Sequence, residues 1–262
     1  MSKTDQEQRR IYLIKELLSE SPYYKDLKIP ENADEQKELL RGLMNIRRPA
    51  PAGEDFLKVH DEYLKEEIKR KGITDADGLI PVKEGLYIWQ GDITCLKCDA
   101  IVNAANSGMT GCYIPNHGCI DNCIHTFSGV QLRLECAKII KEQGKEEPAG
   151  GAKITGAYNL PAKYVIHTVG PIVKGRPSRR DCALLSSCYR SCLLLAADYC
   201  LGSIAFCCIS TGEFHFPNEQ AAKIAVKTAE EFLKEPTSIK KVIFNVFKDK
   251  DREIYERLLK EG

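Results

Sequence analysis

The feature that most constrains the fold is an alternation, starting near residue 85, between short β-rich runs and helical stretches. Six runs are predicted as strands: GLYIWQG (85–91), DAIVNAA (99–105), AKITGAYN (152–159), KYVIHTVG (163–170), SIAFCCIS (203–210) and KVIFNVF (241–247). The helical stretches lie near residues 120–143, 179–201, 218–234 and 250–260. Such alternation predicts a central sheet with helices on both faces. Ligands of such sheets bind where loops follow the carboxyl ends of strands.

The first 80 residues are predicted to be helical and show no catalytic constellation. Apolar residues recur at helical spacing in three segments: Ile11, Ile14, Leu17 and Leu18; Leu39, Leu40, Leu43 and Met44; and Phe56, Leu57, Leu64 and Ile68. Each predicted helix is amphipathic and must therefore cover other apolar surface. The sequence thus predicts a helical extension over residues 1–80, packed on a main domain over residues 81–262.

Composition removes several classes of protein. Lys plus Arg is 38 and Asp plus Glu is 37, so the net charge of +1 gives no reason to expect nucleic acid as a partner. No run resembles a membrane span, and the N-terminus lacks the apolar core of a secretory signal. The 12 cysteines, several of them inside apolar runs, are therefore expected to be reduced thiols in a cytoplasmic protein.

One strand-to-helix junction suits an anion, although neither a Walker-type motif nor a Rossmann glycine motif is present. The run SIAFCCIS continues into Ser210, Thr211, Gly212, Glu213 and Phe214 before the next predicted helix. Glycine lets backbone N–H groups approach a ligand closely, and a helix N-terminus favours negative charge. An ordinary left-handed turn is the alternative.

A second loop follows the run DAIVNAA. It contains Asn103 and Asn106, whose amides can bind hydroxyl groups, among small residues that allow tight packing. Asn-Ser-Gly is also common in turns, so this loop is a weak signal by itself.

Taken together, four ordered motifs resemble the signatures of the macrodomain family. They are GDIT at 91–94, VNAANS at 102–107, YVIHTVGP at 164–171 and ISTGEFHFP at 209–217. The resemblance covers roughly residues 80–262. It implies a three-layer α/β/α fold with a mixed central sheet and an ADP-ribose cleft at the strand ends.

The resemblance also implies roles for individual residues. Asp92 would hydrogen-bond the adenine amino group, although it could instead be a turn residue. Asn106 would lie near the proximal ribose, and Phe247 near the adenosine end, with a place in the core as its alternative. His167 is interpreted as structural. The implied ADP-ribose-binding residues are Asp92, Ile93, Asn103, Asn106, Ser210, Thr211, Gly212, Glu213, Phe214, Asn245 and Phe247.

One loop departs from the family pattern and indicates a metal. Hydrolytic macrodomains most often continue after NAAN into GGGGVDGAIH, whereas this chain has Cys112, His117 and Cys119 there, spaced C-x4-H-x-C. Thiolate and imidazole groups suit zinc. The loop resembles the zinc-dependent branch of the family and implies Zn²⁺ held by these three residues. Cys123 and His125 stay open as rival or additional ligands.

A second cysteine pair, Cys95 and Cys98, forms a single C-x2-C. It lacks the other half of a zinc ribbon, so two partly buried thiols are expected, with redox or metal use as the alternative.

The zinc branch implies an enzyme that hydrolyses the bond between the proximal ribose and a protein side chain, most of all an Asp or Glu ester. Asp121 takes the position of the family's catalytic aspartate, with a helix cap as its alternative role, and Asn106 would position the ribose. The implied partners are ADP-ribose, a mono-ADP-ribosylated protein and an ADP-ribosylating sirtuin. The N-terminal helices could help to recognise the protein substrate.

Two other functions stay open. One is a non-catalytic ADP-ribose-binding module with a structural zinc, which a fourth ligand from Cys123 would favour, whereas three ligands with an open position favour the enzyme. The other is an O-acetyl-ADP-ribose deacetylase.

Overall fold

A computed structural model of the chain describes residues 3–24 and 26–261. Residues 1, 2, 25 and 262, which the two predicted parts include, lie outside the described residues. The helices are α1 (Lys3–Ser19), α2 (Ala33–Ile46), α3 (Glu54–Lys71), α4 (Ile120–Ser128), α5 (Val130–Gln143), α6 (Arg179–Asp198), α7 (Asn218–Leu233) and α8 (Asp249–Glu261). The strands are β1 (Thr74–Asp75), β2 (Leu86–Gln90), β3 (Leu96–Lys97), β4 (Ala100–Ala105), β5 (Ala152–Gly156), β6 (Tyr164–Val169), β7 (Ser203–Phe206) and β8 (Lys241–Val246). Within the described ranges, no helix is long and apolar enough to cross a bilayer.

Six strands form the central sheet in the order β2-β8-β7-β4-β6-β5. Neighbouring strands are parallel, except that β5 runs antiparallel to β6 at one edge. The carboxyl ends of the five parallel strands therefore meet along one side of the sheet. Helix α4 packs on β4 and α5 on β5, whereas α6, α7 and α8 form a second group along β5, β6, β8 and β2. This confirms the predicted three-layer α/β/α fold with a mixed sheet.

The three N-terminal helices have a small hydrophobic core that also includes a residue of the main body. Its buried members are Leu13, Ile14, Leu17, Leu40, Leu43, Met44, Phe56, Tyr63, Leu64 and Val130. Val130 belongs to α5, so this core joins the extension to the sheet-bearing part. In α1 the buried face runs through Leu13, whereas Ile11, which the periodicity placed on that face, is only half-buried.

A buried arginine of α5 fixes the end of α2. Arg133 is 5% exposed, and its Nη1 donates to the carbonyl oxygens of Met44, Asn45 and Arg47 at 3.2, 2.6 and 2.6 Å. The last carbonyls of a helix lack partners within the helix, and a cation there is also favoured by the helix dipole. Helix α2 therefore has a defined position on the main body.

The helical stretch predicted over residues 120–143 is broken at Gly129. Gly129 is the C-cap of α4: its N–H donates to the carbonyl of His125, and the residue has a φ of +109°. A Cβ at this position would lie 2.6 Å from Cε1 of His60 in α3 and 3.0 Å from Asn159 Nδ2. The predicted helical region therefore consists of two helices, and glycine is required at the break both by the backbone and by the close approach of α3.

Candidate active site and metal centre

Asp121 lies in the first turn of α4, where two side-chain amides hold its carboxyl group. Asn103, on β4, donates from Nδ2 to Asp121 Oδ1 at 2.8 Å, and Asn106, in the loop after β4, donates to Oδ2 at 3.3 Å. Asp121 is 5% exposed. Cys119, rather than Asp121, is the N-cap of α4, so the alternative role as a cap is excluded. The structure thus brings Asn103, Asn106 and Asp121 together.

Burial dominates the ionisation of this cluster. It raises the pKa of Asp121 to about 6, although the hydrogen bond from Asn103 and the charge of Arg133 oppose the rise. His125 Nε2 lies 3.5 Å from Asp121 Oδ1, and burial lowers the pKa of His125 well below its usual value. The carboxyl group therefore faces amide donors and a neutral imidazole rather than a full opposite charge at close range.

The loop over residues 112–119 carries the three predicted metal ligands. Cys112 Sγ lies 3.5 Å from His117 Nδ1, and the ligand atoms of Cys112, His117 and Cys119 all lie within 4.8 Å of one another. Zinc bonds to nitrogen and sulfur are about 2.0–2.3 Å long, so one ion can span such a set after small adjustments. Thiolate and imidazole are also the donors that zinc prefers. All three residues are half-buried.

The Cys119 thiol of this loop needs a nearby cation in order to ionise. Burial raises the pKa of the Cys119 thiol to about 12, and the neighbouring Cys112 adds to the rise. A bound metal ion reverses this balance, because a coordinating thiol loses its proton. Among the described residues Cys123 does not belong to this ligand group; its Sγ lies 3.6 Å from Arg41 Nη2. The donor atoms of Cys112, His117 and Cys119 therefore suit a divalent metal ion held by three protein ligands.

A second cluster of metal-type side chains, His125, Cys136 and His167, lies inside the core. His167 Nδ1 is 3.1 Å from Asn103 Nδ2, and its Nε2 is 3.0 Å from Thr155 Oγ1. Burial lowers the pKa of His167 to about 3, so the ring is neutral. Because both ring nitrogens have protein partners, these contacts favour the structural interpretation of His167.

The predicted diphosphate loop follows β7 and turns sharply. Ser210 is 5% exposed and has a φ of +63°. In the part of the chain that the structure describes, no protein acceptor pairs with the backbone N–H groups of Gly212, Glu213 and Phe214. Unpaired N–H groups in successive residues can bind an anion.

The loop over residues 210–214, called the diphosphate loop, also faces the loop over residues 112–119, called the metal loop. Glu213 Oε1 lies 3.8 Å from His117 Nε2, and the Glu213 side chain is 70% exposed. Thr211 turns inward, since its hydroxyl donates to the carbonyl of Cys208 at 2.9 Å. Because β4 and β7 are neighbours, the two loops lie side by side at the carboxyl ends of these strands.

Asp92 and Asn245 lie after β2 and near the end of β8. Asp92 Oδ1 accepts from the backbone N–H and the hydroxyl of Thr94 at 3.0 and 2.6 Å, and Oδ2 accepts from Lys71 Nζ at 2.6 Å. Burial would raise the pKa of Asp92, but Lys71 and Thr94 hold it below its usual value. Asn245 Nδ2 donates to the carbonyl of Gly91 at 2.9 Å. A ligand at Asp92 must therefore share this carboxylate with Lys71.

The two apolar residues predicted for the adenosine end differ in exposure. Ile93 is 1% exposed, so little of it is open to a ligand, whereas Phe247 is 75% exposed. The alternative place in the core for Phe247 is therefore excluded.

The thiols of Cys95 and Cys98 are both buried, and Cys98 Sγ donates to the carbonyl of Ala100 at 3.2 Å.

The N-terminal helices supply residues to the site that the sequence did not point to. Arg41 of α2 donates to the carbonyl of His117 at 2.8 Å, and Lys71 of α3 pairs with Asp92. The first contact joins positions 76 residues apart. Local periodicity reports only which face of a helix is apolar, so it carried no signal for either contact.

This architecture has counterparts among known proteins. The family model described as Macro domain matches residues 102–225. A Treponema medium protein named protein-ADP-ribose hydrolase is 57% identical over 258 residues, which cover 97% of this chain and 99% of the relative. A Trypanosoma brucei macrodomain in complex with ADP-ribose superposes with a TM-score of 0.65 at 29% identity, over 82% of this chain and 94% of that chain. An Oceanobacillus iheyensis macrodomain with ADP gives a TM-score of 0.62 at 36% identity, over 70% and 94%. The chain belongs to the macrodomain family.

Proposed function

We propose that this protein is a zinc-dependent hydrolase that removes mono-ADP-ribose from Asp and Glu side chains of modified proteins. It is an enzyme of the protein-ADP-ribose hydrolase class, as the name and full-length similarity of its 57% identical relative indicate. The observation that supports the zinc-dependent part is the convergence of Cys112, His117 and Cys119 within 4.8 Å, in the loop that leads into Asp121.

Binding of ADP-ribose uses both sides of the cleft. The free N–H groups of residues 212–214 suit the diphosphate, which lies in the middle of the ligand. Asn106 suits the proximal ribose beside Asp121, and Asp92 with the exposed ring of Phe247 suits the adenine. Binding energy from the diphosphate and adenosine, which do not react, can hold the ribose in position for the chemical step.

The bond that breaks joins the anomeric carbon of the proximal ribose to an oxygen of the carboxyl side chain. A Zn²⁺ ion held by Cys112, His117 and Cys119 would supply Lewis-acid chemistry at a ribose hydroxyl or at the attacking water. Asp121 accepts a proton from the water that attacks the anomeric carbon, and Asn106 orients the ribose. The side chain leaves as a carboxylate with the bonding electrons, which gives ADP-ribose and an unmodified protein.

The proposed preference for acidic side chains follows from the charges in the site. Asp121 is the buried carboxylate among the described residues of this cleft, and the other nearby acid, Glu213, is largely exposed. Carboxylate leaving groups have pKa values of about 4 and depart without a proton. A guanidine leaving group needs a general acid in addition. A site with one buried carboxylate acting as a base therefore suits an ester.

The test compares three substrates of the zinc-loaded protein: a carrier protein mono-ADP-ribosylated on acidic side chains, one modified on arginine, and O-acetyl-ADP-ribose. We expect release from the acidic carrier to be at least about 100-fold faster than from the arginine carrier. Equal rates would contradict the ester preference, and turnover of O-acetyl-ADP-ribose alone would indicate a deacetylase. Binding of ADP-ribose without release from any substrate would indicate a reader module with a structural metal.

We also propose that residues 1–80 are a helical extension of a macrodomain over residues 81–262. The matched family segment, residues 102–225, lies inside the second part. A cytoplasmic location is supported by the cysteines, all of which are free thiols in the structure, as expected in a reducing compartment. A partner sirtuin rests on the resemblance to the zinc branch and stays a prediction.

A further inference from the structure

Helix α2 of the extension reaches the metal loop through Arg41. Its Nη2 donates to the carbonyl oxygen of His117 at 2.8 Å and to Asn122 Oδ1 at 2.9 Å. His117 is one of the three candidate ligands, so this arginine holds the backbone of a ligand residue rather than its ligand atom.

Asn45, one helical turn after Arg41, holds the neighbouring residue of the same loop. Asn45 is 1% exposed; its Oδ1 accepts from the N–H of Asn116 at 2.9 Å, and its Nδ2 donates to Thr126 Oγ1 at 2.9 Å. Asn116 has a φ of +56°, which residues other than glycine rarely adopt. Asn45 therefore supports an uncommon backbone conformation directly before His117.

Asn122 extends the same network to the start of the loop. Its Nδ2 donates to the carbonyl of Ile114 at 3.0 Å and is 3.5 Å from that of Cys112. No helix or strand is assigned within 112–119, all of which the structure describes. The conformation of the loop therefore depends on side-chain contacts, and Arg41 with Asn122 spans it from Cys112 to His117.

Helix α2 is in turn fixed to the main body. Arg133 of α5 binds the last carbonyls of α2, and its guanidinium lies 4.3 Å from the ring centroid of Tyr113 in the metal loop. A helix anchored in this way can hold the loop in a set position rather than move with it.

We propose that Arg41 and Asn45 are positioning residues for the metal ligands, and that the N-terminal extension thereby completes the metal centre. This inference rests on the proposed zinc site and adds a role for the extension. Residues that orient ligands without binding the metal typically change metal affinity by about 10–100-fold when they are replaced. Arg41 and Asn45 act in this way through the backbone of residues 116 and 117 and through Asn122.

The experiment uses the full-length protein with Arg41→Met, Arg41→Lys and Asn45→Ala. Arg48→Met is the matched control, because Arg48 is an exposed arginine just beyond the end of α2. Zinc affinity is measured by competition with a chromophoric chelator, and ligand geometry by the visible spectrum of the cobalt-loaded protein. We expect Arg41→Met and Asn45→Ala to lose about 10–100-fold in zinc affinity and to shift the cobalt bands. Arg41→Lys should recover part of the loss, and Arg48→Met should match the wild type.

Thermal unfolding in chelator separates positioning from folding. Unchanged zinc affinity and an unchanged cobalt spectrum in both Asn45→Ala and Arg41→Met would overturn the inference. Lower thermal stability with a wild-type cobalt spectrum would also overturn it, since it would assign these residues to folding alone. Wild-type protein that binds neither zinc nor cobalt would refute the proposed metal site itself. Normal binding by wild type and variants alike would refute only the positioning role.

Discussion

At the scale of single residues, two carboxyl groups of the site, those of Asp121 and Asp92, have hydrogen-bond partners on both oxygens. Asp121 receives amide donors on both oxygens, and Asp92 is shared between Thr94 and Lys71. These hydrogen bonds keep each carboxyl group in one orientation without a ligand. A substitution can therefore be chosen to change either the charge or the shape of the side chain.

Asp121→Asn separates charge from shape. The amide keeps the size of the side chain but cannot accept a proton from water, so we expect kcat to fall about 10²–10⁴-fold while ADP-ribose affinity changes little. Turnover on an acid-modified carrier and calorimetric titration with ADP-ribose measure the two effects. Asp198→Asn, at an exposed position near the end of α6, is the control. Near-normal turnover by Asp121→Asn would remove the proposed base.

Gly170→Ala tests the packing beneath the diphosphate loop. A Cβ there would lie 3.0 Å from Ile209 Cγ2 and would overlap the side chain of Ser210. Overpacking of this kind costs about 1–3 kcal/mol, and displacement of the loop should weaken ADP-ribose binding about tenfold, or about 1.4 kcal/mol. Gly156→Ala, where a Cβ would meet nothing within 4 Å, should bind normally. Equal affinity of both variants would contradict this role of Gly170.

At this scale the sequence reveals residues that belong to motifs, but it does not reveal contacts between residues far apart in the chain. The positions of Asn106 and Asp121 could be predicted because the motif order places them in one family pattern. Arg41 and Lys71 could not, because their partners lie far away in sequence and a charged residue on an amphipathic helix is ordinarily solvated. The exposure of Phe247 was equally open, since a residue just past a buried strand can point either way.

At the scale of elements, the alternation of β-rich runs with helical stretches predicted the sheet and its flanking helices. It did not predict the break between α4 and α5. A glycine inside a helical pattern is tolerated at a modest cost, so Gly129 alone did not predict an end. Gly129 has a φ of +109° and a ψ of +174°, and a Cβ there would lie 2.6 Å from His60 Cε1 of α3, a tertiary contact that the local sequence does not reveal. The strand predicted over 152–159 likewise ends early, at Gly156.

Gly129→Ala and Gly144→Ala form a matched pair at the ends of α4 and α5. Gly144 has a φ of +72° and open space around a Cβ, so alanine there should cost about 1 kcal/mol. Gly129 lies in a region that essentially only glycine adopts, and a Cβ would also collide with His60, so we expect a loss of about 3 kcal/mol or more. Urea unfolding measures both losses. Equal losses would show that α3 does not constrain the break.

At the scale of the whole molecule, the candidate site combines loops from the sheet with side chains from the extension. The metal loop lies between Arg41 of α2 and Glu213 of the diphosphate loop, and Lys71 of α3 closes on Asp92. The sequence predicted an extension packed on a main domain, with a possible role in recognising the protein substrate, but it named no residue of the extension in the site. Its amphipathic helices indicated that a surface is covered, not which residues meet across it.

The most direct test of the central claim is release of free ADP-ribose from a carrier protein mono-ADP-ribosylated on acidic side chains. It compares zinc-loaded wild type, wild type stripped by a chelator and then reloaded, Cys119→Ala, and Cys200→Ala as a control at an exposed cysteine. We predict release by zinc-loaded wild type and Cys200→Ala, loss on stripping, recovery on reloading, and no release by folded Cys119→Ala that still binds ADP-ribose. Equal release by the stripped protein or by Cys119→Ala would contradict a zinc-dependent hydrolase.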